Sequence, residues 1–591
     1  MEDLSEKGGY RWKVNHLFEN LEPLPGSDFW QLYMTAMYPP VKFSFDVTDG
    51  QMKLTVSTDA VWSAKVAGLI VYPDSMKIIG DKFVEDIIGQ QRDEFTAAAV
   101  EIPNPARGKL EDVPQREKAK GYLFWVTDYE ANYYLDTIPH PQEIKRSTAI
   151  AAAPGEREPV SFAVRPLGRD FGAARVTVSD FTARGAVIPA SAWDVHVVRH
   201  LSRRGFSQIS YSIIPQMLRP LADVHLKPDL TREFWAIVTV PQDALPGQYK
   251  GKITLASDMG LNETLDVTLT VRDFTLSRDT DYVFGFFGHP YNEKMAKFFL
   301  DHGFNSFSGG PYIGLAGFDA DGAPQLDFSR VDAFMDMIKE VGYRHEICGY
   351  GGPGVSNVGY EKNQGFFGPC EQKTGKSYDE LLKAVFDEVK KHADEKQWLP
   401  FTYNMCDEPR NPDNARRIVA QINAVQNAAP WLKTTGQYSV TYKDGAKPDD
   451  YHQWVFEALK SSGLNLHDES VMHKARELGK EIYIYNQGQS RYSFGLYQVS
   501  EYVKGVRGRY QWHQHVQHGY QFFDLDGREP DTGIIYLGED GPIPTLNFIR
   551  SSEGADDFYY FVTLTEYIAR GEKAGGRAGR EAVAARNALN D

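Results

Sequence analysis

Short strand-like segments alternate with helical segments from about residue 280 onward, and this alternation is the strongest constraint on the fold. The apolar run Tyr282–Phe287 predicts a strand, and Met295, Phe298 and Phe299 follow it at helical spacing. Such units recur about eight times over roughly 300 residues, which matches the repeat number and length of a (β/α)8 TIM barrel. A doubly wound open sheet is the alternative, but no glycine-rich phosphate-binding motif opens a helix directly after a strand. The predicted strands are 282–287, 305–308, 345–348, 399–405, 434–439, 464–467, 481–485 and 510–513 or 521–525, and the predicted helices are 292–302, 329–341, 377–392 and 414–428.

The chain before residue 280 shows the period-two alternation that is typical of β-strands. Val41–Val47 and Met52–Ser57 flank the turn Thr48-Asp-Gly50, and Leu69–Tyr72 predicts a further strand. More strands are predicted at the spacing of an immunoglobulin-like sandwich, at 159–165, 174–178, 233–240, 251–255 and 265–271. We therefore predict two N-terminal all-β sandwich domains followed by a C-terminal (β/α)8 barrel. The first sandwich or jelly roll would span 1–138, the immunoglobulin-like sandwich 139–278 and the barrel 279–591.

Composition and charge exclude several classes of partner. The chain has 64 Lys and Arg against 80 Asp and Glu, a net charge of −16, so a diffuse nucleic-acid-binding surface is not expected. Because no run of 18 or more residues is apolar, no membrane span is expected. The first residues lack the basic and apolar stretches of a secretory signal, so the location is left open: periplasmic or secreted if a signal peptide was removed, otherwise cytoplasmic. Three cysteines without CxxC spacing indicate free thiols.

The segment 401–409 ends a predicted barrel strand with two adjacent carboxylates, Asp407 and Glu408. Barrel enzymes carry their chemistry at this end of the strands, and Asn404 just before the pair also favours catalysis. Neighbours on a strand point to opposite faces, so both carboxylates reach one site only if the backbone kinks there. The proline after Glu408 should hold that residue in the extended region. Alternatively, Asp407 caps the following helix and Glu408 pairs with Arg410.

A barrel whose fourth strand ends in Asp407-Glu408-Pro409, after two β-sandwich domains, resembles glycoside hydrolase family 123. The similarity covers about residues 140 to 570 and includes Tyr485-Asn486, Arg491–Tyr497, Gly505–Trp512 and Arg550–Tyr559, where Glu553-Gly554 and Asp556-Asp557 are kept. The known activity of the family is β-N-acetylgalactosaminidase. The resemblance therefore implies hydrolysis of β-linked 2-acetamido sugars in an oligosaccharide or glycoconjugate, with no cofactor.

The resemblance also implies a retaining, substrate-assisted mechanism. A retaining glycosidase with its own nucleophile normally holds two carboxyls ~5 Å apart, and neighbours on one strand end serve a different scheme. In that scheme the 2-acetamido oxygen of the substrate attacks the anomeric carbon. Glu408 would protonate the leaving oxygen and then activate water, while Asp407 would orient the acetamido N–H and stabilise the oxazolinium charge.

Further polar and aromatic residues near predicted strand ends are candidates for binding the sugar: Asn404, Tyr438, Tyr485, Asn486, Gln487, Arg491 and Trp512. Asn486 and Gln487 suit hydroxyl or acetamido groups, and the flat face of Trp512 suits a pyranose ring. The structural alternatives are a core-lining Tyr438, a polar loop at 486–489, an ion pair of Arg491 and a buried Trp512.

Three other patterns carry weaker signals. His513, His515 and His518 lack the spacing of a metal site, so no metal is predicted. Asp319–Gly322 predicts a hairpin turn rather than a calcium loop. Gly349–Gly354 matches GxGxxG, but no helix opens there, which favours a substrate loop.

Two other functions stay open. A glycosidase acting on sugars without a 2-acetamido group would combine Glu408 with a distant carboxylate such as Asp468 or Asp524. A non-catalytic carbohydrate-binding protein would use the sandwiches beside an inactive barrel, although the presence of both Asp407 and Glu408 argues against it.

Overall fold

The described N-terminal part of the chain contains a long helix and none of the predicted strands. The computed structural model describes residues 21–35, 41–48, 50–53, 68–205, 209–221, 224–350, 352–355, 365–440, 451–464, 469–516, 521–525 and 530–590. Helix α1 is Lys77–Ala98, and α2 is Gln115–Lys118. Residues 41–47 and 69–72 are not strands, and 54–57 of the other predicted strand lie outside the described residues.

The predicted first sandwich is therefore not confirmed. Alternation in one segment predicts a strand only if partner strands are available, and a lone hairpin is marginal in water. The prediction also overlooked α1, which ion pairs one helical turn apart support. Lys77 lies 2.6 Å from Asp81, and Lys82 lies 2.8 Å from Asp86.

Two sheets between residues 122 and 271 share one apolar core. The first has the strand order β1-β3-β9-β7-β8, and the second has the order β2-β11-β10-β5-β6 with β4 paired to β10. Phe162 and Phe234 of the first sheet pack in the same buried cluster as Ile253 and Leu265 of the second. The strands are β1 (Tyr122–Val126), β2 (Ser147–Ala152), β3 (Arg157–Pro166), β4 (Ala174–Val178), β5 (Phe181–Ala183), β6 (Ala186–Ile188), β7 (Trp193–Arg204), β8 (Tyr211–Pro220), β9 (Arg232–Thr239), β10 (Gly247–Ser257) and β11 (Asn262–Val271).

This β-rich unit contains all the strands predicted for the second domain. Strand β1 precedes the predicted boundary at residue 138 and pairs with β3 after it. The immunoglobulin-like type and the domain boundaries stay predictions.

A parallel six-stranded sheet forms the centre of the C-terminal part, in the order β12-β19-β18-β17-β16-β15. Its strands are β12 (Val283–Phe286), β15 (Thr402–Asp407), β16 (Lys433–Tyr438), β17 (Ser461–Leu464), β18 (Glu481–Tyr485) and β19 (Gly508–Gln511). Two hairpins lie outside it, β13 (Gly314–Phe318) with β14 (Pro324–Asp327) and β20 (Ile535–Gly538) with β21 (Gly541–Pro544). The predicted alternation of parallel strands and helices is present, with β17 starting three residues before the segment predicted.

The two remaining predicted strands appear only as isolated parallel bridges. These bridges join Phe287 to Ser308, Ser308 to Cys348, and Ile347 to Phe401. The extended sheet itself is open, so the closed (β/α)8 barrel stays a prediction.

Helices surround this sheet. They are α3 (Glu293–Asp301), α4 (Ser329–Val341), α5 (Phe367–Thr374), α6 (Tyr378–Lys396), α7 (Pro412–Ala428), α8 (Tyr451–Ala458), α9 (Glu469–Glu477), α10 (Arg491–Phe494), α11 (Leu496–Val503), α12 (Leu546–Ala574) and α13 (Gly576–Asn590). Across the described ranges, no helix combines the length and apolar character needed to cross a bilayer. The three cysteines, Cys348, Cys370 and Cys406, are buried free thiols, as predicted.

Helix α12 connects the sheet-containing half to the β-rich unit. The Arg550 guanidinium donates hydrogen bonds to the carbonyl oxygens of Tyr129 and Ala131, each at 2.7 Å. Glu553 is fully buried one turn further on, where burial and the Glu158 carboxylate raise its pKa. The segment Arg550–Tyr559, which carries part of the family resemblance, therefore lies where α12 contacts the β-rich unit.

Candidate active site

Strand β15 delivers Asp407 and Glu408 to the carboxyl end of the parallel sheet. Buried residues precede them on the strand, whereas both carboxylate side chains are exposed. The pairing register with β16 shifts between Asn404 and Asp407, which marks a bulge. Bulges re-aim side chains, and this one lies immediately before the two carboxylates.

The backbone kink needed to bring both carboxylates to one site is present at Glu408. Its φ is +43°, so the expectation of an extended conformation before the proline is wrong. The Glu408 N–H donates to the carbonyl oxygen of Gln437 on β16 at 2.8 Å, a tertiary contact that accompanies the left-handed conformation. Strained conformations of this kind cluster at functional sites.

Asp407 is not the cap of the following helix. Helix α7 begins at Pro412, and the Asn411 side chain accepts the capping hydrogen bond from the Asn414 N–H at 2.9 Å. The side chain of Asp407 is therefore available at the edge of the sheet.

A tyrosine hydroxyl donates to each carboxylate. The Tyr350 hydroxyl lies 3.0 Å from Asp407 Oδ2, and the Tyr485 hydroxyl lies 3.1 Å from Glu408 Oε1. Burial, followed by the neighbouring carboxylate, raises the pKa of each tyrosine, so both hydroxyls stay protonated at neutral pH and donate. Tyr350 follows the third predicted strand, and Tyr485 is the last residue of β18. Each carboxylate is therefore held from a different part of the sheet.

Trp512, directly after β19, forms an aromatic wall with two neighbours. Its half-buried ring lies 5.7 Å from Phe287 and 5.9 Å from Tyr350, measured between ring centroids. The backbone N–H of Trp512 donates to Asn486 Oδ1 at 2.9 Å, and Asn486 has a φ of +57° at the end of β18. Trp512 and Asn486 therefore lie at the same edge as the carboxylate pair.

The other predicted sugar-binding residues are less accessible. Tyr438 is fully buried, which agrees with the core-lining alternative. Gln487 uses its amide inside the protein, donating to the Tyr485 carbonyl oxygen at 2.8 Å and accepting from Tyr497 at 3.3 Å. Asn404 is half-buried, and its Oδ1 has no hydrogen-bond partner within the described part of the chain.

Arg491 forms an ion pair, which is the structural alternative to a role in binding the sugar. Its guanidinium donates to both carboxylate oxygens of Asp557 on α12, at 2.7 and 2.8 Å, and it also contacts the Tyr129 hydroxyl. The hydrogen bond to Asp557 raises the pKa of Arg491. These contacts tie α10 to α12.

His513 and His515, near Trp512, are neutral side chains at neutral pH. Burial lowers the pKa of His513 to about 3 and that of His515 to about 4, and His518 lies outside the described residues. No group of three metal-binding side chains occurs in the ranges that the structure describes. Asp319 accepts hydrogen bonds from two backbone N–H groups in the β13–β14 turn, so the hairpin prediction is confirmed.

The alternative mechanism combines Glu408 with a distant carboxylate, Asp468 or Asp524. Asp468 lies outside the described residues. Asp524 is buried, with its oxygens taken by the Asp531 N–H at 2.6 Å, the Arg204 N–H at 3.1 Å and the Arg203 guanidinium at 3.4 Å. These contacts disfavour a direct role for Asp524 in chemistry.

The sequence prediction missed Tyr350 as a site residue. It belongs to the glycine-rich segment after the third predicted strand, whose pattern favours a substrate loop over a phosphate-binding loop. A tyrosine directly after a strand at the same edge as Asp407 was the available signal.

Comparison with known proteins identifies the domain. Residues 304–564 match the profile of the glycoside hydrolase 123 catalytic domain. The fold is similar to that of a family 123 glycoside hydrolase from Clostridium perfringens, described for glycolipid glycan hydrolysis, with a TM-score of 0.58 and 13% identity over 77% of this chain and 90% of that chain. A family 39 glycoside hydrolase from Bacteroides cellulosilyticus WH2 matches at a TM-score of 0.30 and 10% identity over 64% of this chain and 80% of that chain. No curated protein matches the sequence.

The profile match confirms the resemblance first seen in Asp407-Glu408-Pro409, which lies inside the matched range. The structural similarity at 13% identity shows the fold alone. Residues 304–564 thus match a glycoside hydrolase 123 catalytic domain, and the chain is a glycoside hydrolase.

Proposed function

We propose that the enzyme is of the β-N-acetylgalactosaminidase type and hydrolyses β-linked 2-acetamido sugars in oligosaccharides or glycoconjugates. The observation that carries the proposal is the adjacent pair Asp407 and Glu408 at one sheet edge, each accepting a hydrogen bond from a separate tyrosine. Two neighbouring carboxylates suit a mechanism in which the substrate supplies the nucleophile.

In the proposed mechanism, the acetamido oxygen attacks the anomeric carbon while Glu408 gives its proton to the leaving oxygen. Asp407 accepts a hydrogen bond from the acetamido N–H and stabilises the positive charge of the oxazolinium ring. Glu408 then removes a proton from the water that opens this ring, so the product keeps the starting configuration. The Tyr350 hydroxyl holds Asp407 in place, the Tyr485 hydroxyl holds Glu408, and Trp512 lies under the sugar.

The scaffold proposed for this site is a (β/α)8 barrel. The isolated bridges from Phe287 through Ser308, Cys348 and Ile347 to Phe401 run in parallel between the two edge strands, β12 and β15. Two further strands at these bridges would bring the strand number from six to the eight of that fold. Domains at 1–138, 139–278 and 279–591 remain our proposed division.

An aryl glycoside panel tests the function. Wild type is expected to hydrolyse a chromogenic β-N-acetylgalactosaminide in preference to the matching β-galactoside and β-glucoside, and a thiazoline that mimics the oxazoline should inhibit it. The variants Asp407→Asn and Glu408→Gln should lose about 100- to 10,000-fold in kcat/KM. The control Asp413→Asn, on the exposed first turn of α7, should match wild type.

Each result has a distinct reading. Full activity in both site variants would refute the assignment of the carboxylates. Hydrolysis of the galactoside or glucoside without thiazoline inhibition would refute participation of the acetamido group and favour a second, distant carboxylate. Sugar binding without hydrolysis of any glycoside would favour the carbohydrate-binding function.

A further inference from the structure

A cavity of about 460 Å³ lies where the β-rich unit meets α3 and the β20–β21 hairpin. Its volume is within the range of small-molecule sites, about 300–1,000 Å³. The residues that line it come from β3, β7, β8, β9, α3, the hairpin and the start of α12, and none belongs to the candidate active site. The cavity is therefore a separate place where a ligand can bind.

The charge of the cavity wall is opposite to that of the whole chain. Four basic side chains and two carboxylates line it: Arg157, Arg219, Lys294, Lys297, Asp301 and Asp540. The difference, four minus two, is +2, whereas the chain carries −16. Lys297 is paired with Asp301 at 2.9 Å, but Lys294 has no salt-bridge partner among the residues that the structure describes.

The hairpin is shaped to let Lys294 lie along it. Gly541 has a φ of +135°, and a Cβ there would be 2.8 Å from Lys294 Cε. Glycine thus allows the aliphatic stem of the lysine to pass over the turn, with the ammonium at the cavity rim. Apolar side chains, among them Leu218, Ile237 and Ile543, form another part of the wall.

The same wall also contains two histidines and buried nitrogen atoms without hydrogen-bond partners in the described residues. His302 is neutral, because burial and the nearby Arg157 lower its pKa to about 3. Arg157 Nε and His196 Nδ1 are buried without hydrogen-bond partners inside the described ranges. Arg157 Nη2 lies 3.7 Å from Asp194 Oδ2, so among the cations of this wall the lack of an ion-pair partner within the described residues concerns Lys294.

We propose that this cavity binds a small organic anion of monosaccharide size, such as an acidic sugar. The carboxylate of this anion lies against Lys294, and its less polar face lies against Ile543 and Leu218. Because the chain as a whole is negatively charged, it can bind an anion only where the local charge is positive, as it is in this cavity.

Calorimetric titration of the intact enzyme with D-glucuronate tests the proposal, with D-glucose as the uncharged probe. Wild type is expected to bind glucuronate and not glucose, with affinity that falls as salt is raised. Lys294→Gln should weaken binding about fivefold or more, since it removes an unpaired charge at an exposed position. Lys82→Gln, an exposed helical lysine on α1, and Glu408→Gln should both bind like wild type.

Three results would overturn the proposal. The first is no measurable heat with glucuronate, and the second is equal binding of glucose. The third is loss of binding in Glu408→Gln with no change in Lys294→Gln, which would place the anion in the active site.

Discussion

A single buried carboxyl in the β-rich unit predicts a measurable pH dependence of stability. Glu233 on β9 is 1% exposed, and its Oε1 accepts hydrogen bonds from Thr127 and Trp235, each at 3.1 Å. Its Oε2 is buried without a partner in the described part of the chain. Burial raises the pKa of Glu233 from 4.5 to about 8. The variant Glu233→Gln keeps the size of the side chain and removes its titration.

The size of the effect follows from proton linkage. Because the folded pKa is raised, the stability that Glu233 contributes is complete below pH 4.5 and is lost as the pH rises through about 8. At about 1.4 kcal/mol per pKa unit, ionisation costs about 1 kcal/mol at pH 5 and about 4 kcal/mol at pH 8. Wild type should therefore lose about 3 kcal/mol more than Glu233→Gln between these pH values, or roughly 6–12 °C in Tm for a domain of this size.

Scanning calorimetry at pH 5, 6, 7 and 8 measures this difference. The matched control is Glu263→Gln in the same unit. Burial alone would raise the pKa of Glu263, but ion pairs with Arg146 at 2.7 Å and Lys120 at 2.9 Å lower it. Its contribution is lost only as the pH falls, so the control should run parallel to wild type from pH 5 to 8. Parallel profiles of wild type and Glu233→Gln would refute the reasoning.

Three further substitutions test the site and its support. Tyr485→Phe should reduce kcat about tenfold with little change in KM, because it removes the hydrogen bond that orients Glu408; an unchanged kcat in steady-state assays would contradict this role. Trp512→Ala should raise KM about tenfold with a smaller effect on kcat, and an unchanged KM would exclude stacking on the sugar. Arg491→Lys should lower stability by about 2 kcal/mol in thermal unfolding, because lysine cannot bind Asp557 through two N–H groups. A fall in kcat/KM without a change in Tm would instead place Arg491 in the site.

Strand positions around the site were predictable because periodicity and strand-end chemistry are local. Strand β15 was predicted at 399–405 and is Thr402–Asp407, and helix α7 was predicted at 414–428 and is Pro412–Ala428. The parallel arrangement then brings strand ends to one edge, which predicts that Tyr485 and Asn486 lie near Asp407.

Tertiary contacts explain what the sequence could not predict. The proline rule for Glu408 failed where a bulge and a hydrogen bond to Gln437 accompany a different conformation. Arg491 is near a strand end in the sequence, but its partner Asp557 is 66 residues away and no local pattern identifies it. The N-terminal strands failed for a related reason, since alternation does not reveal whether a partner strand exists.

Because β12 pairs with β19, the folded catalytic unit begins before the range that matches the family profile. The recognised range begins at residue 304, whereas β12 is Val283–Phe286 and forms a parallel ladder with β19. A gene fragment limited to 304–564 would leave one side of β19 without its hydrogen-bonding partner and exposed to association with other chains. Exchange of this catalytic module between proteins, in evolution or in the laboratory, must therefore carry the preceding strand with it.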